Sequence, residues 1–255
     1  MSDATKIGSV VFPFGGGSGP PGPSTTGALL NVQRIVVSGN YVVPAGVTSI
    51  VVEAIGGGAG GMGYASAGNE SGAGNGGGSG AYVCARMPVV PGDVYTAVIG
   101  AGGGGGPGPG GAGNGTQTSF IGNGQTILAA GGLASNSVMG AIANTEATVG
   151  GQGGVIASAV IGELAAVSGE PGADALRIIT PGFPGSPRVL LRGKGGSTPY
   201  GRGVGGGYPP VSQDGLFGQG FGAGGGGGIL YEVPIGNSIS GGQGAAGILI
   251  VWEYS

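Results

Sequence analysis

Seventy of the 255 residues are glycine, about four times the usual share, and they fall in clusters. The longest tracts are Gly56 to Gly63, Gly72 to Gly80, Gly100 to Gly115 and Gly222 to Gly228. A collagen helix needs glycine at every third position over a long stretch. Gly19-Pro20-Pro21-Gly22-Pro23 keeps that pattern for one repeat and stops. A flexible linker would be glycine and serine with little else, whereas these tracts abut strand-like text. The reading that fits the pattern is a packed array of extended, polyglycine-II-like helices. Such a helix has three residues per turn and points its N–H and C=O groups outward. Glycine, without a Cβ, lets neighbouring backbones come close enough to satisfy those groups. Ordering so much glycine opposes folding strongly, so the array must be dense.

The intervening text reads as strand. Asn31 to Val37 and Tyr41 to Val43 flank a turn at Ser38-Gly39-Asn40. Val47 to Ala54, rich in β-branched residues, follows the Pro44-Ala45-Gly46 turn. Ala81 to Met87, Val94 to Ile99, Thr116 to Ile121 and Gln125 to Ala129 come next, with Pro91-Gly92-Asp93 turning between the first two. The final strand is Ile248 to Tyr254, placed beside Val47 to Ala54. The fold class is therefore all-β: short strands from both chain ends form a sandwich, with glycine-rich helices and loops between them. The domain layout is an extended Gly/Pro-rich arm over residues 1 to 30 and a glycine-rich β domain over 31 to 255. Loops that vary lie at about 134–149, 155–187 and 203–219.

Composition excludes several functions. The chain has no His, one Cys, 8 basic and 11 acidic residues, for a net charge of −3. A Ser-His-Asp or Cys-His relay and a His-containing zinc site are impossible, and one thiol forms no intrachain disulfide. The acidic balance argues against nucleic acid as a partner. No apolar run approaches the roughly 18 to 20 residues of a membrane helix, and the first residues lack a signal peptide's charged start and apolar core. Synthesis and first folding in a cytoplasm are expected. Cys84 reads as a buried small hydrophobe in a strand. Gly100 to Gly105 matches G-x-G-x-x-G, but Pro107 and Pro109 replace the required helix and the next acid is Glu146. Gly193-Lys194 fails as a P-loop, because Arg188 stands where glycine is needed. No cofactor, metal or catalytic residue is predicted.

The run Ser38-Gly39-Asn40-Tyr41-Val42-Val43-Pro44-Ala45-Gly46-Val47-Thr48, with Val51-Val52-Glu53-Ala54 entering Gly56-Gly57-Gly58, resembles the glycine-rich domain of bacteriophage tail-fibre proteins. Val89 to Tyr95, Asn114 to Phe120, Ala129 to Gly132, Gly195 to Gly201, Gly222 to Gly228 and Gly244 to Tyr254 continue the series in order. More remotely, the composition is similar to the distal adhesins of T-even phages. The resemblance implies a non-enzymatic virion component at the tail fibre or tail tip, made in the host cytoplasm and attaching to the host. Partners would be other virion proteins through the arm, and a host glycan or outer-membrane protein. Fibres of this kind imply a homotrimer, with a monomeric fibre cap as the alternative. A capsid decoration or head-fibre role is an alternative function. A surface-polysaccharide depolymerase is a second, using carboxylates from Glu163, Glu170 and Asp174.

Binding candidates gather late in the chain. Arg177, Arg188, Arg192, Lys194 and Arg202 are five of the eight basic residues, and arginine forks suit phosphate or carboxylate. The alternative is a solvated face or a neutralised subunit contact. Phe183, Tyr200, Tyr208, Phe217 and Phe221 sit among Pro and Gly, either as contact anchors or as caps on the glycine array. The receptor-binding set is Arg188, Arg192, Lys194, Arg202, Tyr200, Tyr208 and Phe217. Phe12 and Phe14, in an arm with no core to enter, are assigned to docking on a neighbouring virion subunit.

Overall fold

The computed structural model describes residues 27–66, 70–107, 111–135, 145–147, 150–155, 163–179, 187–207, 211–233 and 236–255. Two antiparallel sheets form a sandwich. The five-stranded sheet runs in the order Leu29–Ile35, Ile248–Tyr254, Ser49–Ile55, Tyr82–Pro88 and Glu163–Val167. The four-stranded sheet runs Gly39–Val42, Val94–Val98, Thr118–Gly122 and Gln125–Ala129. No helix occurs among the described residues. The strand at Ile248–Tyr254 pairs along its length with Ser49–Ile55, Trp252 opposite Val51 and Ile250 opposite Glu53, as expected from the sequence.

Alternation builds the core. Along Ser49–Ile55 the residues Ile50, Val52 and Ala54 face inward, as Val83, Ala85 and Met87 do from Tyr82–Pro88. Phe120 is fully buried and lies parallel to Tyr95, with ring centroids 4.7 Å apart. A side chain buried to this extent contributes roughly 1.5–3 kcal/mol. One carboxylate enters this apolar layer. Glu253, 2% exposed, accepts hydrogen bonds from the Tyr41 hydroxyl at 3.0 Å and the Asn31 amide at 3.1 Å. These partners meet the requirement that a buried charge be hydrogen-bonded.

Two turns read from the sequence as local reversals instead carry the chain between sheets. Leu29–Ile35 pairs with the C-terminal strand, while Gly39–Val42 pairs with Val94–Val98. Ser38 sits at the crossing, its hydroxyl accepting the Ile99 N–H at 2.9 Å. Pro91-Gly92-Asp93 likewise links Tyr82–Pro88 to the other sheet. A tight hairpin forms at Asn123-Gly124, at φ 47° and 71°, between Thr118–Gly122 and Gln125–Ala129. Both central residues adopt the positive φ of a two-residue hairpin turn.

Two boundaries differ from expectation. The fold begins before residue 31: Gly27 donates to the Ser255 carbonyl at 2.7 Å, and Leu29 pairs with Tyr254. The remainder of the proposed arm, including Phe12 and Phe14, lies outside the described residues. The segments treated as inserted loops also supply strands. Glu163–Val167 occupies the free edge of Tyr82–Pro88, and Thr145–Ala147, Leu176–Ile179 and Pro187–Leu191 form a small sheet of their own.

Where the chain runs on from these strands, the glycine tracts hydrogen-bond with a period of three, not the two of a β-ladder. Gly56, Ala59 and Met62 donate to Ala81, Gly78 and Asn75; Gly57 and Gly60 donate to Thr116 and Gly113; Gly58 and Gly61 donate to Ala245 and Gly242. Their carbonyls repeat the pattern. Gly58 and Gly61 accept from Gly103 and Gly106, Ala59 and Met62 from Gly225 and Gly228, and Gly57 from Gly132. The tract at 74–81 is surrounded in the same way. Gly74, Gly77 and Gly80 donate to Gly228, Gly225 and Gly222, while Gly76 and Ser79 donate to Ala173 and Glu170. Backbone buried this deeply must find partners, and here the partners are other glycine tracts. Side chains would block the approach: a Cβ at Gly58 would land on the carbonyl of Ala223, and one at Gly61 on that of Gly226.

Candidate functional site

Between Ser197 and Phe221 the described residues stay bonded to the glycine array: Val204 accepts from Gly195, Leu216 from Gly226, and Gly215 and Gly218 donate to Ser240 and Gln243. The two ends of this segment are joined by the Thr198 hydroxyl, which donates to the Phe221 carbonyl at 2.6 Å, and by the Phe221 N–H, which donates to the Tyr200 carbonyl at 3.1 Å. Gly201–Arg202 pairs antiparallel with Gln219–Gly220, so Arg202 stands opposite Gln219. An open depression of about 490 Å³ lies here, bordered by Pro199, Tyr200, Arg202 and Gln219. On the other side of Pro199 a cleft of about 270 Å³ is lined by Tyr82, Val167, Glu170 and Ser197.

Tyr200 is 40% exposed, but its hydroxyl is tied down, donating to Glu53 Oε2 at 2.7 Å. The same oxygen accepts the Tyr82 hydroxyl at 3.0 Å, and Glu53 Oε1 accepts the Trp252 indole N–H at 2.8 Å. One carboxylate therefore orients three aromatic side chains from three separate parts of the chain. The hydrogen bond to Glu53, with burial second, pushes the Tyr200 phenol up to about 12. Tyr82 is raised further, chiefly by burial. Beside this cluster the Arg34 guanidinium lies over the Phe221 ring at 5.4 Å, and Arg86 lies over Tyr254 at 5.6 Å. Such cation–π contacts anchor rings to the sheet face. Cys84, opposite Glu53 in the neighbouring strand, is half-buried, and burial raises its thiol pKa.

The structure separates the sequence candidates. Lys194 and Arg202 are exposed, and Phe217 is 62% exposed. Arg192 is not part of an exposed basic face. It is 7% exposed, with Nη1 donating to the Asp214 carbonyl at 3.2 Å and Nε to that of Gly206 at 3.5 Å. Burial lowers its pKa, and the carbonyls compensate a guanidinium withdrawn from water. Arg188 lies in the strand Pro187–Leu191; its side chain, Tyr208 and Phe183 fall outside the described residues. Phe221 is half-buried as a cap on the apolar cluster of Ile55, Ile248 and Ile250.

The carboxylates considered for hydrolysis serve loop amides. Glu170 Oε2 accepts the Ser197 N–H and Asp174 Oδ1 accepts the Gly150 N–H, both at 2.7 Å. Glu163 is exposed, opposite Ala85 at the sheet edge. Sequence reasoning missed Glu53 as a centre. Its signal was present: a lone acid on the face of Ser49–Ile55 opposite the core, in a chain with only 11 acids.

The glycine-rich domain family model matches residues 35–254. That span takes in the glycine array, the four-stranded sheet and all of the five-stranded sheet but its edge strand Leu29–Ile35, and the chain belongs to this family of glycine-rich domains. No curated protein matches it at a significant level.

Proposed function

We propose that the chain is a non-enzymatic virion protein of a bacteriophage, located at a tail fibre or tail tip, where it attaches the particle to the host surface. The observation that carries this reading is the presentation of Tyr200, Arg202 and Phe217, exposed on a segment that backbone bonds at Val204, Leu216 and Gly218 hold to the glycine array. Contact residues on loops over a stiff scaffold suit recognition, because little side-chain and loop freedom is lost on binding. The resemblance of the sequence to tail-fibre glycine-rich domains supports the virion setting. The three-residue hydrogen-bond period supports polyglycine-II-like helices in the tracts. The Gly/Pro-rich arm read over residues 1 to 30, ahead of the strand Leu29–Ile35, then serves virion docking, with Phe12 and Phe14 as its anchors. The assembly is a homotrimer, or a monomer capping a separate fibre.

The test has two parts. An antibody against the chain, gold-labelled on intact particles, should decorate the tail; label on the capsid surface would favour a decoration or head-fibre role instead. Purified protein should bind host cells and block phage adsorption. Replacing Tyr200 and Phe217 by Ala together should weaken binding by about 10- to 200-fold, because only the exposed parts of the two residues remain to be buried, out of roughly 1.5–3 kcal/mol for a fully exposed ring. Unchanged adsorption by a folded double variant would refute this binding surface.

A further inference from the structure

The geometry points to a subsite for one acidic sugar, a pyranose bearing a carboxylate, in the depression between Pro199–Arg202 and Gln219–Gly220. The inference rests on the attachment reading and deepens it by naming the ligand class.

The Tyr200 ring is held before any ligand arrives. Its hydroxyl is bound to Glu53, and Glu53 is itself held by Tyr82 and Trp252. With 40% of the residue exposed, the ring offers a surface on which the apolar face of a sugar can stack. Pro199 continues that surface along the same depression. A rigid aromatic supplies contact area with little loss of rotamer freedom. The backbone opposite is bare, because Gly201 pairs with Gly220. Gly220 has φ +80°, and a Cβ there would meet the Tyr200 carbonyl. A Cβ at Gly201 would likewise meet the Phe221 backbone, so both glycines serve the close approach of this short pair.

Polar groups sit at one edge of this floor. Arg202 and Gln219 are directly opposed in an antiparallel pair, so their side chains share a face. Both are exposed. Arg202 makes no ion pair or side-chain hydrogen bond among the described residues, which leaves its planar fork free for a bidentate carboxylate. Gln219 offers both an amide donor and an acceptor, which suit adjacent sugar hydroxyls. The acid nearest in the network, Glu53, already accepts three hydrogen bonds and is not positioned as a competing partner for Arg202. A neutral sugar would use the stacking floor and the amide but leave the guanidinium unpaired; an acidic sugar uses all three.

The experiment titrates the full chain with tri-galacturonate and with its methyl ester, by calorimetry or ligand-observed NMR. The acid should bind about fivefold more tightly than the ester, the amount expected of an exposed ion pair. Arg202→Gln should abolish the preference for the acid over the ester. Tyr200→Ala should lose both ligands. Tyr200→Phe keeps the ring without its tether, and should bind both more weakly with their ratio preserved. No measurable binding of the acid, equal binding of acid and ester, or wild-type behaviour of Arg202→Gln would each overturn the subsite. Cell adsorption separates this from the attachment reading. Protein that adsorbs to host cells regardless of tri-galacturonate and of Arg202→Gln sinks the subsite and spares attachment. The predicted sugar and variant pattern, with no adsorption to any host cell, does the reverse.

Discussion

Gly58→Ala and Gly104→Ala are the same chemical change in two glycine tracts, and the structure assigns them opposite signs. At Gly58 the new methyl falls on the carbonyl of Ala223, which already accepts the Ala245 N–H at 2.8 Å. Gly58 donates to Ala245 and accepts from Gly103, each at 2.9 Å. Relief requires the 56–63 and 222–228 tracts to separate, and no side chain is available to rotate away. Losing one or two of these bonds leaves buried groups unpaired at about 1–3 kcal/mol each, less about 0.4–1 kcal/mol from the stiffer unfolded chain. With both bonds lost the net loss is about 1–5.5 kcal/mol, which for a chain of this length lowers Tm by about 2–22 °C. At Gly104 a Cβ meets nothing within 4 Å, and the residue is not among those with positive φ. Only the unfolded-state term acts there, so Tm should rise by about 1–4 °C. Differential scanning calorimetry of both variants beside the parent is the measurement. A Gly58→Ala protein melting with the parent, or a Gly104→Ala protein falling as far as Gly58→Ala, would refute close backbone contact as the reason for glycine in these tracts.

Removing residues 248–255 takes out the strand between Leu29–Ile35 and Ser49–Ile55; the truncated chain should not fold in soluble form, and retained thermal stability would contradict the sheet order. Alkaline stability should fall as pH rises from about 10 toward 12. The neutral phenols of Tyr41, Tyr82 and Tyr200 are favoured in the fold and their pKa values raised, so the unfolded chain releases protons first. Urea melts across this range should show a shallower loss for Tyr200→Phe, with its contribution removed, and an identical slope would argue against the Glu53 tether.

The β elements were legible because their information is local. Ser49–Ile55 and Ile248–Tyr254 combine β-branched and apolar residues, and an inward-facing alternation is readable without knowing the partner strand. The Asn123-Gly124 pair between two such strands carries an equally local hairpin signal. The expectation of a three-residue rhythm in the glycine tracts came from the backbone geometry open to glycine. The acid on the outer face of Ser49–Ile55 was visible too, but nothing nearby in sequence marked it as a centre.

Partnership was decided only in three dimensions. Glu53 meets Tyr200 across 147 positions and Trp252 across 199, and Arg192 reads as one more surface cation until the Gly206 and Asp214 carbonyls are seen around it. The turn at Ser38 looks like a hairpin, yet the two strands it joins belong to different sheets. The glycine array makes the limit plain. A strand advertises its buried face through its side chains, whereas a glycine tract offers only identical peptide groups that could bond to any similar tract. Which of them becomes a neighbour is therefore settled by how the whole chain packs, through loop lengths, the sheets at either end and the closeness of approach that a missing Cβ permits.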